Sequence, residues 1–436
     1  MITRLYLENF RAIFNNELEL GRITVLTGPN NAGKSSILYG LLALKNVVLN
    51  SNQSLDGFLN LGFLNLGGFS QTVHLKDENS NIVVGIEGSR DGASSRYWAS
   101  LGKKASELRL STSQPFPVSL KLEVTFPYPA NQSTGCEVKG EFGIAKISWN
   151  GITPTISIEK GPRPEGTETS ESAEQKDEQI EKSETPENGQ SSASAEQKGE
   201  QDVIADISSS LNAPIEELRA VEFIPLRRGF IKPNYSSVPM QQQLLTDEEL
   251  ATLLATDRDL EGRVAFYLEK IVDRTFNVRS TLGTANFYLQ SRDRCTGLVA
   301  DLVNEGFGTN QLVTILTKAL RKDMRTICIE EPEIHLHPEL MDKLVNVLIE
   351  TVRNEDKSYV ITSHSEHIVI SLLNKVAKGQ LRPDDLAVYY LSKDGRRAKI
   401  ERQQINEKGQ MKGGLKGFYE TELRQTREFF KIPAEE

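Results

Sequence analysis

Cysteine is scarce in this chain, and long apolar runs are missing. The sequence has three cysteines in 436 residues, Cys136, Cys295 and Cys328, and no two of them form a CxxC pair. This usage excludes a disulfide framework or a thiolate zinc site and predicts a reducing compartment. The longest apolar stretch, Ile37–Leu49, is interrupted by Lys45 and is too short to span a bilayer. The N-terminus enters a strand-like pattern without a leader, so we expect a soluble cytoplasmic protein with no membrane partner.

A strong charge of one sign is absent outside one segment. The whole chain carries a formal charge of −9, and residues 159–202 alone contain 13 acidic and five basic residues. The remainder is close to neutral, so net charge indicates little about partners. The segment also lacks aromatics and repeats itself imperfectly at 172–179 and 194–201. Such a segment buries too little apolar area to offset its ordering entropy, which predicts a disordered acidic insertion. A tolerated loop insertion and a regulatory tail both stay open.

Strand patterns dominate the first third of the chain. Apolar or alternating runs at Ile2–Leu7, Glu17–Leu20 and Ile23–Leu26 predict strands, and β-rich runs separated by turn residues fill 67–158. The latter pattern predicts an antiparallel sheet. Helical spacing returns at Thr246–Val272, which begins with the capping-box pair Thr and Glu three residues apart.

Strand and helix patterns alternate in the last 110 residues. Thr326–Ile329 and Tyr359–Thr362 have the composition of buried strands, and Glu339–Thr351 between them has helical spacing. Alternation of this kind favours parallel strands with crossover helices. We therefore predict an α/β fold in which the strand before residue 28 and the strands after 325 share one sheet.

This prediction divides the chain into four parts. Residues 1–158 would form the N-terminal part of a nucleotide-binding core with an antiparallel β subdomain, and 159–202 the disordered insertion. Residues 203–305 would form a helical insertion, and 306–436 the C-terminal part of the core.

A phosphate-binding loop is the strongest signal in the sequence. The stretch Gly28-Pro-Asn-Asn-Ala-Gly-Lys-Ser35 follows an apolar strand and precedes a helical pattern, the setting in which backbone N–H groups surround a triphosphate. Lys34 would reach the β- and γ-phosphates, and the Ser35 hydroxyl would hold Mg²⁺. The sequence thus predicts ATP and Mg²⁺ as cofactors. The predicted nucleotide contacts here are Asn30, Asn31, Ala32, Gly33, Lys34, Ser35 and Ser36.

Two carboxylates follow a buried strand at 326–329. Ligands bind at the carboxyl ends of strands in α/β sheets, so Glu330 is predicted to hold the Mg²⁺ shell and Glu331 to deprotonate the attacking water. A surface acidic turn is the alternative. Metal-dependent phosphoryl transfer needs such a carboxylate, which favours the functional interpretation beside a phosphate loop.

Three weaker signals complete the candidate site. His364 directly follows the strand at 359–362 and is predicted to sense the γ-phosphate. A glycine-bearing turn opens a helix at 306–311, where Gly306, Gly308, Asn310 and Gln311 are predicted to contact nucleotide, although a plain helix cap needs the same chemistry. Gln71 is a guessed metal or water ligand. The histidines at 335, 337 and 367 lack any zinc-site spacing, and we predict no metal binding by them.

The order of these motifs resembles the ATP-binding-cassette (ABC) ATPases of the SMC and RecF type, and more closely the overcoming-lysogenization-defect (OLD) family. The opening residues 2–11, the run Glu-Glu-Pro-Glu-Ile-His-Leu-His-Pro at 330–338, the turn at 306–311 and Thr-Ser-His-Ser at 362–365 carry the resemblance. Residues 223–228 and 407–420 have looser counterparts. The resemblance implies an ABC-type mixed sheet flanked by helices, and ATP hydrolysis.

The resemblance also implies partners. The glycine turn of one protomer would close on the ATP of another in a head-to-tail homodimer or a higher homo-oligomer. Stand-alone ATPases of this kind resemble components of bacterial anti-phage defence, such as the ATPase of the PARIS system, that control a separate nuclease or toxin. A RecF-like or SMC-like ATPase that clamps DNA is the alternative, which leaves DNA open as a partner. Such clamping needs a basic stripe, and the small clusters Arg227-Arg228 and Arg396-Arg397 are interpreted as ordinary solvated surface. A scaffold that binds ATP and rarely hydrolyses it is a third interpretation.

Overall fold

The computed structural model describes most of the chain outside the acidic segment. The described residues are 1–50, 53–90, 93–114, 120–127, 134–140, 143–149, 154–159, 205, 208–240, 245–280, 285–412, 414, 428 and 429. Residues 160–202 lie outside this set, so the predicted disorder of the acidic insertion stays a prediction.

A parallel sheet forms the centre of the fold, as the sequence predicts. Its six strands lie in the order β11 (Val221–Ile224), β16 (Thr326–Glu330), β17 (Ser358–Ser363), β3 (Ile23–Thr27), β18 (Leu386–Asp394) and β19 (Arg397–Gln403). All pairings are parallel except that of β18 with β19. Val25 of β3 pairs with Ile361 of β17 and Val388 of β18, so the two ends of the chain share one sheet.

Both faces of this sheet are covered, and for this reason its central strands are buried along their whole length. Every residue of β3, β16 and β17 is buried. Alternate residues point to opposite cores: Leu26 and Val360 join the core on the side of α1 (Lys34–Leu49), whereas Val25 and Ile361 join the core of the other helices. The period of two along each strand decides which core a residue enters.

Three helices contribute to the core that contains Val25 and Ile361: α6 (Phe307–Ala319), α7 (Pro338–Asn354) and α8 (Glu366–Ala377). The predicted helix at 339–351 is confirmed within α7. Among the described residues, no helix combines the length and the apolar character that a bilayer crossing requires.

The N-terminal part contains the predicted antiparallel sheet. The strands follow the order β2 (Ile13–Glu19), β1 (Ile2–Phe10), β4 (Ile82–Arg90), β5 (Ala93–Leu101), β6 (Glu107–Gln114) and β7 (Leu120–Pro127). Strands β8 (Thr134–Gly140), β9 (Gly143–Trp149) and β10 (Pro154–Glu159) form a second antiparallel sheet. The short helix α2 (Phe69–Thr72) lies between β3 and β4 in sequence.

The segment predicted as helical, 203–305, contains both helices and strands. Its helices are α3 (208–219), α4 (Asp247–Thr256) and α5 (Arg258–Val272), and the predicted capping box forms at α4. A four-stranded antiparallel sheet of β12 (Tyr235–Ser236), β13 (Arg274–Ser280), β14 (Asn286–Asp293) and β15 (Val299–Asp301) accompanies them. Strand β11 of the same segment forms the edge of the central sheet. The segment is therefore mixed in structure, and the domain boundaries stay predictions.

Candidate functional site

The phosphate loop joins β3 to α1 at the carboxyl end of the central sheet. Its backbone has positive φ at Gly28 (138°), Asn31 (60°) and Gly33 (101°), conformations that leave N–H groups pointing inward at the start of a helix. A Cβ at Gly28 would lie 2.0 Å from the Leu391 carbonyl oxygen of β18, so this position admits only glycine. Asn30 and Asn31 are exposed, whereas Ala32 and Ser36 are buried.

Lys34 begins α1 and points back into the loop. Its Nζ donates to the carbonyl oxygens of Gly28 at 2.8 Å and Pro29 at 3.0 Å. Burial lowers the pKa of this ammonium, while the carboxylates of Glu331 and Glu333 act in the opposite direction. A lysine held in this way can exchange two carbonyl partners for phosphate oxygens without leaving the loop.

The two predicted Mg²⁺ ligands are connected through a tyrosine that the sequence interpretation missed. The Tyr39 hydroxyl donates to Glu330 Oε1 at 2.9 Å and also hydrogen-bonds the Ser35 side chain. The backbone N–H of Leu226 donates to Glu330 Oε2 at 3.2 Å. Burial and the neighbouring Glu330 raise the pKa of Tyr39, which keeps it a donor. A serine hydroxyl and a glutamate oxygen are the hard ligands that Mg²⁺ prefers, so these residues fit the ion.

Gln71 lies on the exposed surface of α2, outside this chain of hydrogen bonds. A hydrogen bond of 2.7 Å from the Arg11 N–H to the Thr72 carbonyl attaches α2 to the end of β1. A role for Gln71 in binding the metal stays a prediction.

Glu331 and His364 come together from adjacent strands. Glu331 has φ of 41° and donates its N–H to the Thr362 carbonyl at 2.9 Å, so the chain turns sharply just after β16. This turn brings Glu331 Oε1 to 3.4 Å from His364 Nε2. Burial raises the pKa of Glu331 against the opposing effect of Lys34. Burial and Lys34 lower the pKa of His364, so its imidazole is neutral at neutral pH.

Glu333 organises the turn that carries His364, a role that the sequence interpretation did not assign. Its Oε1 accepts from the Ser363 hydroxyl at 2.8 Å, the His364 N–H at 2.7 Å and the Ser365 N–H at 3.2 Å. Its Oε2 is buried and has no partner among the described residues. The carboxylate thus satisfies N–H groups at the start of α8 and sets the direction in which His364 leaves the strand.

Arg228 is a third residue whose role was missed. The sequence interpretation favoured a solvated surface pair at Arg227 and Arg228. In the structure Arg227 is exposed, but Arg228 is largely buried and its guanidinium donates to the carbonyls of Glu330 at 2.6 Å and Glu331 at 2.8 Å. The surface interpretation is therefore wrong for Arg228. The sequence around the two arginines offered no signal that distinguishes one from the other.

The glycine turn at the start of α6 packs against different residues from those that contact the phosphate loop. A Cβ at Gly308 would lie 2.8 Å from the His335 carbonyl, while Gly306 faces open space and Phe307 is 74% exposed. The phosphate loop instead packs on Ala398 and Leu391.

Asn310 and Gln311 are both buried in the first turns of α6. Asn310 donates both amide N–H groups to the carbonyls of Phe230 and Leu302, at 2.9 and 3.2 Å. Both side-chain N–H groups are therefore engaged within the protomer, and contact of Asn310 with a nucleotide stays a prediction. The Oε1 of Gln311 is buried without a partner among the described residues, and its predicted role stays open to test.

The phosphate loop, the carboxylate pair and the histidine define the class of protein. They lie at one edge of a parallel sheet in the arrangement of a P-loop ATPase. A model of the AAA ATPase domain family matches residues 1–369, and the chain belongs to this family. Among proteins of curated function, none matches the chain.

Solved structures of SMC heads are distantly similar. The SMC head domain from Thermotoga maritima is 8% identical, with a TM-score of 0.38 over 92% of this chain and 98% of that one. An SmcHead bound to the C-winged helix domain of ScpA is 8% identical, with a TM-score of 0.47 over 92% and 97%. An Smc head bound to the C-terminal domain of ScpA derived from Pyrococcus furiosus is 10% identical, with a TM-score of 0.41 over 99% of both chains. These likenesses are too distant to indicate a partner or an activity.

Proposed function

We propose that this chain is an ATP-hydrolysing switch whose two protomers close over ATP and thereby control a separate effector protein. The effector class suggested by the resemblance to OLD-like ATPases is a nuclease or toxin of an anti-phage defence module. A closed state held by ATP and released by hydrolysis would shift the population of active effector.

One observation supports the proposal: the phosphate loop and the glycine turn pack against different parts of the same protomer. The phosphate loop packs on β18 and β19, whereas the turn at Gly306 contacts the segment after β16 and leaves Phe307 exposed. A helix N-terminus with open N–H groups is a natural anion site. The turn would therefore complete the nucleotide site of a second protomer.

Within each site the residues present support hydrolysis. Lys34 and the loop N–H groups would bind the triphosphate, and Ser35 and Glu330 would hold Mg²⁺, whose charge would stabilise the phosphate oxygens. Glu331 would take the proton of the attacking water, because its turn places the carboxylate at the carboxyl end of the sheet beside Lys34 and His364. The neutral His364 can donate one hydrogen bond to the γ-phosphate, and it brings no positive charge to neutralise the phosphate.

The experiment that tests the switch is the mass in solution by light scattering. Wild type and Glu331→Gln are measured with and without ATP and Mg²⁺, and Lys34→Ala serves as the control that should bind nucleotide much more weakly. An ATP-dependent doubling of mass that persists in Glu331→Gln supports the proposal. A Glu331→Gln protein that stays monomeric when saturated with ATP and Mg²⁺ would contradict it.

A second measurement distinguishes a switch that controls an effector from an ATPase that clamps DNA. A DNA-clamping ATPase would bind duplex DNA when closed, with affinity that falls steeply as salt rises. A defence switch would instead retain a protein partner encoded beside it and lose protection in cells when Glu331 is replaced. DNA binding by the closed dimer without such a partner would favour the RecF-like alternative.

A further inference from the structure

The segment that follows β11 touches the catalytic turn at one end and α6 at the other. We call residues 225–230 the brace. At its first end, the Leu226 N–H donates to Glu330 Oε2 at 3.2 Å. The Arg228 guanidinium donates to the Glu330 and Glu331 carbonyls at 2.6 and 2.8 Å and also to the Pro225 carbonyl at 3.0 Å. The Glu330 carboxylate and the backbone carbonyls of Glu330 and Glu331 are thus held by this short stretch of chain.

The other end of the brace is fastened to α6 by a reciprocal pair of hydrogen bonds. The Phe230 N–H donates to Asn310 Oδ1 at 2.7 Å, and Asn310 Nδ2 donates to the Phe230 carbonyl at 2.9 Å. All of these atoms are buried. Asn310 lies four residues after Gly306, and its own N–H donates to the Gly306 carbonyl at 3.3 Å. The brace and the glycine turn are therefore connected through Asn310.

Arginine is required at position 228 for physical reasons. Burial lowers its pKa to about 10, which still leaves a cation at neutral pH, and the carboxylates of Glu333, Glu330 and Glu331 oppose that shift. The planar fork reaches two carbonyls at once, a geometry that the ammonium of lysine cannot reproduce. Buried hydrogen bonds from a charged donor hold position firmly, because breaking them leaves the charge without partners.

We infer that the brace couples hydrolysis at a protomer's own nucleotide site to the glycine turn that it presents to its partner, with Arg228 and Asn310 as positioning residues. This inference rests on the proposed function, since the glycine turn acts on a second nucleotide only in the closed dimer. The brace would make the two sites of the dimer respond together. The wild type is then expected to hydrolyse ATP with a Hill coefficient above one.

The test is a double-mutant cycle on steady-state hydrolysis. Arg228→Lys keeps the charge and removes the fork. Asn310→Asp keeps an acceptor for the Phe230 N–H and removes the amide donor. Each single variant should reduce kcat by about tenfold or more and bring the Hill coefficient to one, with ATP affinity within about twofold of wild type. The double variant should lose no more than the worse single variant, because both act through one element.

Controls separate coupling from damage to the fold. Arg227→Lys changes the exposed neighbour and should leave kcat and the Hill coefficient unchanged. Thermal unfolding identifies a variant that fails to fold, and Asn310→Ala then replaces Asn310→Asp in the cycle. Single variants that keep the wild-type Hill coefficient, or a double loss equal to the product of the single losses, would overturn the coupling. A Glu331→Gln protein that stays monomeric with saturating ATP and Mg²⁺ would instead overturn the proposed function and this inference with it.

Discussion

His364 Nε2 lies 3.4 Å from Glu331 Oε1, at the ends of two strands that are adjacent in the sheet but 33 positions apart in the chain. The turn after β16 and the carboxylate of Glu333 create this pairing. It places a neutral imidazole against the group proposed as general base. The base and its neighbour can therefore be tested separately.

Replacing the proposed base should stop hydrolysis without preventing ATP binding. Glu331→Gln keeps the shape of the side chain but cannot accept a proton, so kcat should fall by about 10²- to 10⁴-fold. ATP affinity should be close to that of wild type, measured by equilibrium binding of a fluorescent ATP analogue. Asp394→Asn, on an exposed hairpin, is the matched control. Unchanged turnover in Glu331→Gln would rule out this residue as the base.

The rate should depend on pH through the same carboxyl group. Burial raises the pKa of Glu331, so protonation removes the base at a higher pH than for an exposed glutamate. We expect kcat to rise with pH on the acid side and to level off once the carboxylate is ionised. The residual rate of Glu331→Gln, followed over the same pH range, should lack this acid limb. If the rate of Glu331→Gln still falls at low pH, the titration of another residue causes that fall.

Removal of the loop lysine should abolish tight nucleotide binding. Lys34 Nζ already faces loop carbonyls, and charge-assisted hydrogen bonds of this kind contribute about 1.5–3 kcal/mol. Lys34→Ala should therefore weaken ATP binding by about 10- to 100-fold, measured by calorimetry. The exposed Lys393 offers the control substitution Lys393→Ala. Equal affinities of the two variants would contradict the assignment of the phosphate loop.

Loss of the Glu333 carboxylate should affect both stability and turnover. Glu333→Ala leaves the Ser363 hydroxyl and the N–H groups of His364 and Ser365 without their acceptor. The free energy of unfolding should fall by about 1–3 kcal/mol, and kcat should fall because His364 is no longer directed. Glu333→Gln retains an acceptor oxygen and should lie between wild type and Glu333→Ala. Urea unfolding together with ATP turnover checks both effects.

A buried ion cluster beneath β11 should be a major determinant of stability. Glu222 is 1% exposed and accepts from Lys318 at 3.2 Å and Arg321 at 2.6 Å. Glu222→Gln should cost about 3–5 kcal/mol of unfolding free energy, because it leaves buried cations without a counter-charge. The exposed Glu216→Gln should change little. If Glu222→Gln lowers the free energy of unfolding by less than Glu216→Gln does, Lys318 and Arg321 have moved their charges into water.

The same cluster predicts how stability depends on pH. Burial acts to raise the pKa of Glu222, but Lys318 and Arg321 outweigh it, and the pKa is lowered overall. A lowered pKa means that the stabilisation is present above the unfolded pKa and is lost as pH falls through the folded one. Urea midpoints of wild type should therefore decline on the acid side, and those of Glu222→Gln should decline less.

The local chemistry of the site was readable in advance because it depends on contiguous residues. The loop at 28–35 and the strand ending at Glu330 carry their own periodicity and turn residues, which specify a phosphate loop and a carboxylate pair. Tyr39, four residues after Ser35 on α1, could have been found by helical spacing. The shared sheet of β3, β16 and β17 followed from alternation of strands and helices alone.

Contacts between distant segments were decided only by the tertiary structure. Nothing in the neighbourhood of Arg228 in sequence distinguishes it from Arg227; the packing of β11 beside β16 buries one guanidinium and leaves the other in water. Asn310 likewise hydrogen-bonds the backbone of Phe230 because α6 and the brace lie side by side. The sequence by itself determined where the predicted phosphate and metal ligands lie in the chain. The fold decided which backbone groups hold those residues in place, since the energy of a buried hydrogen bond depends on partners far away in the chain.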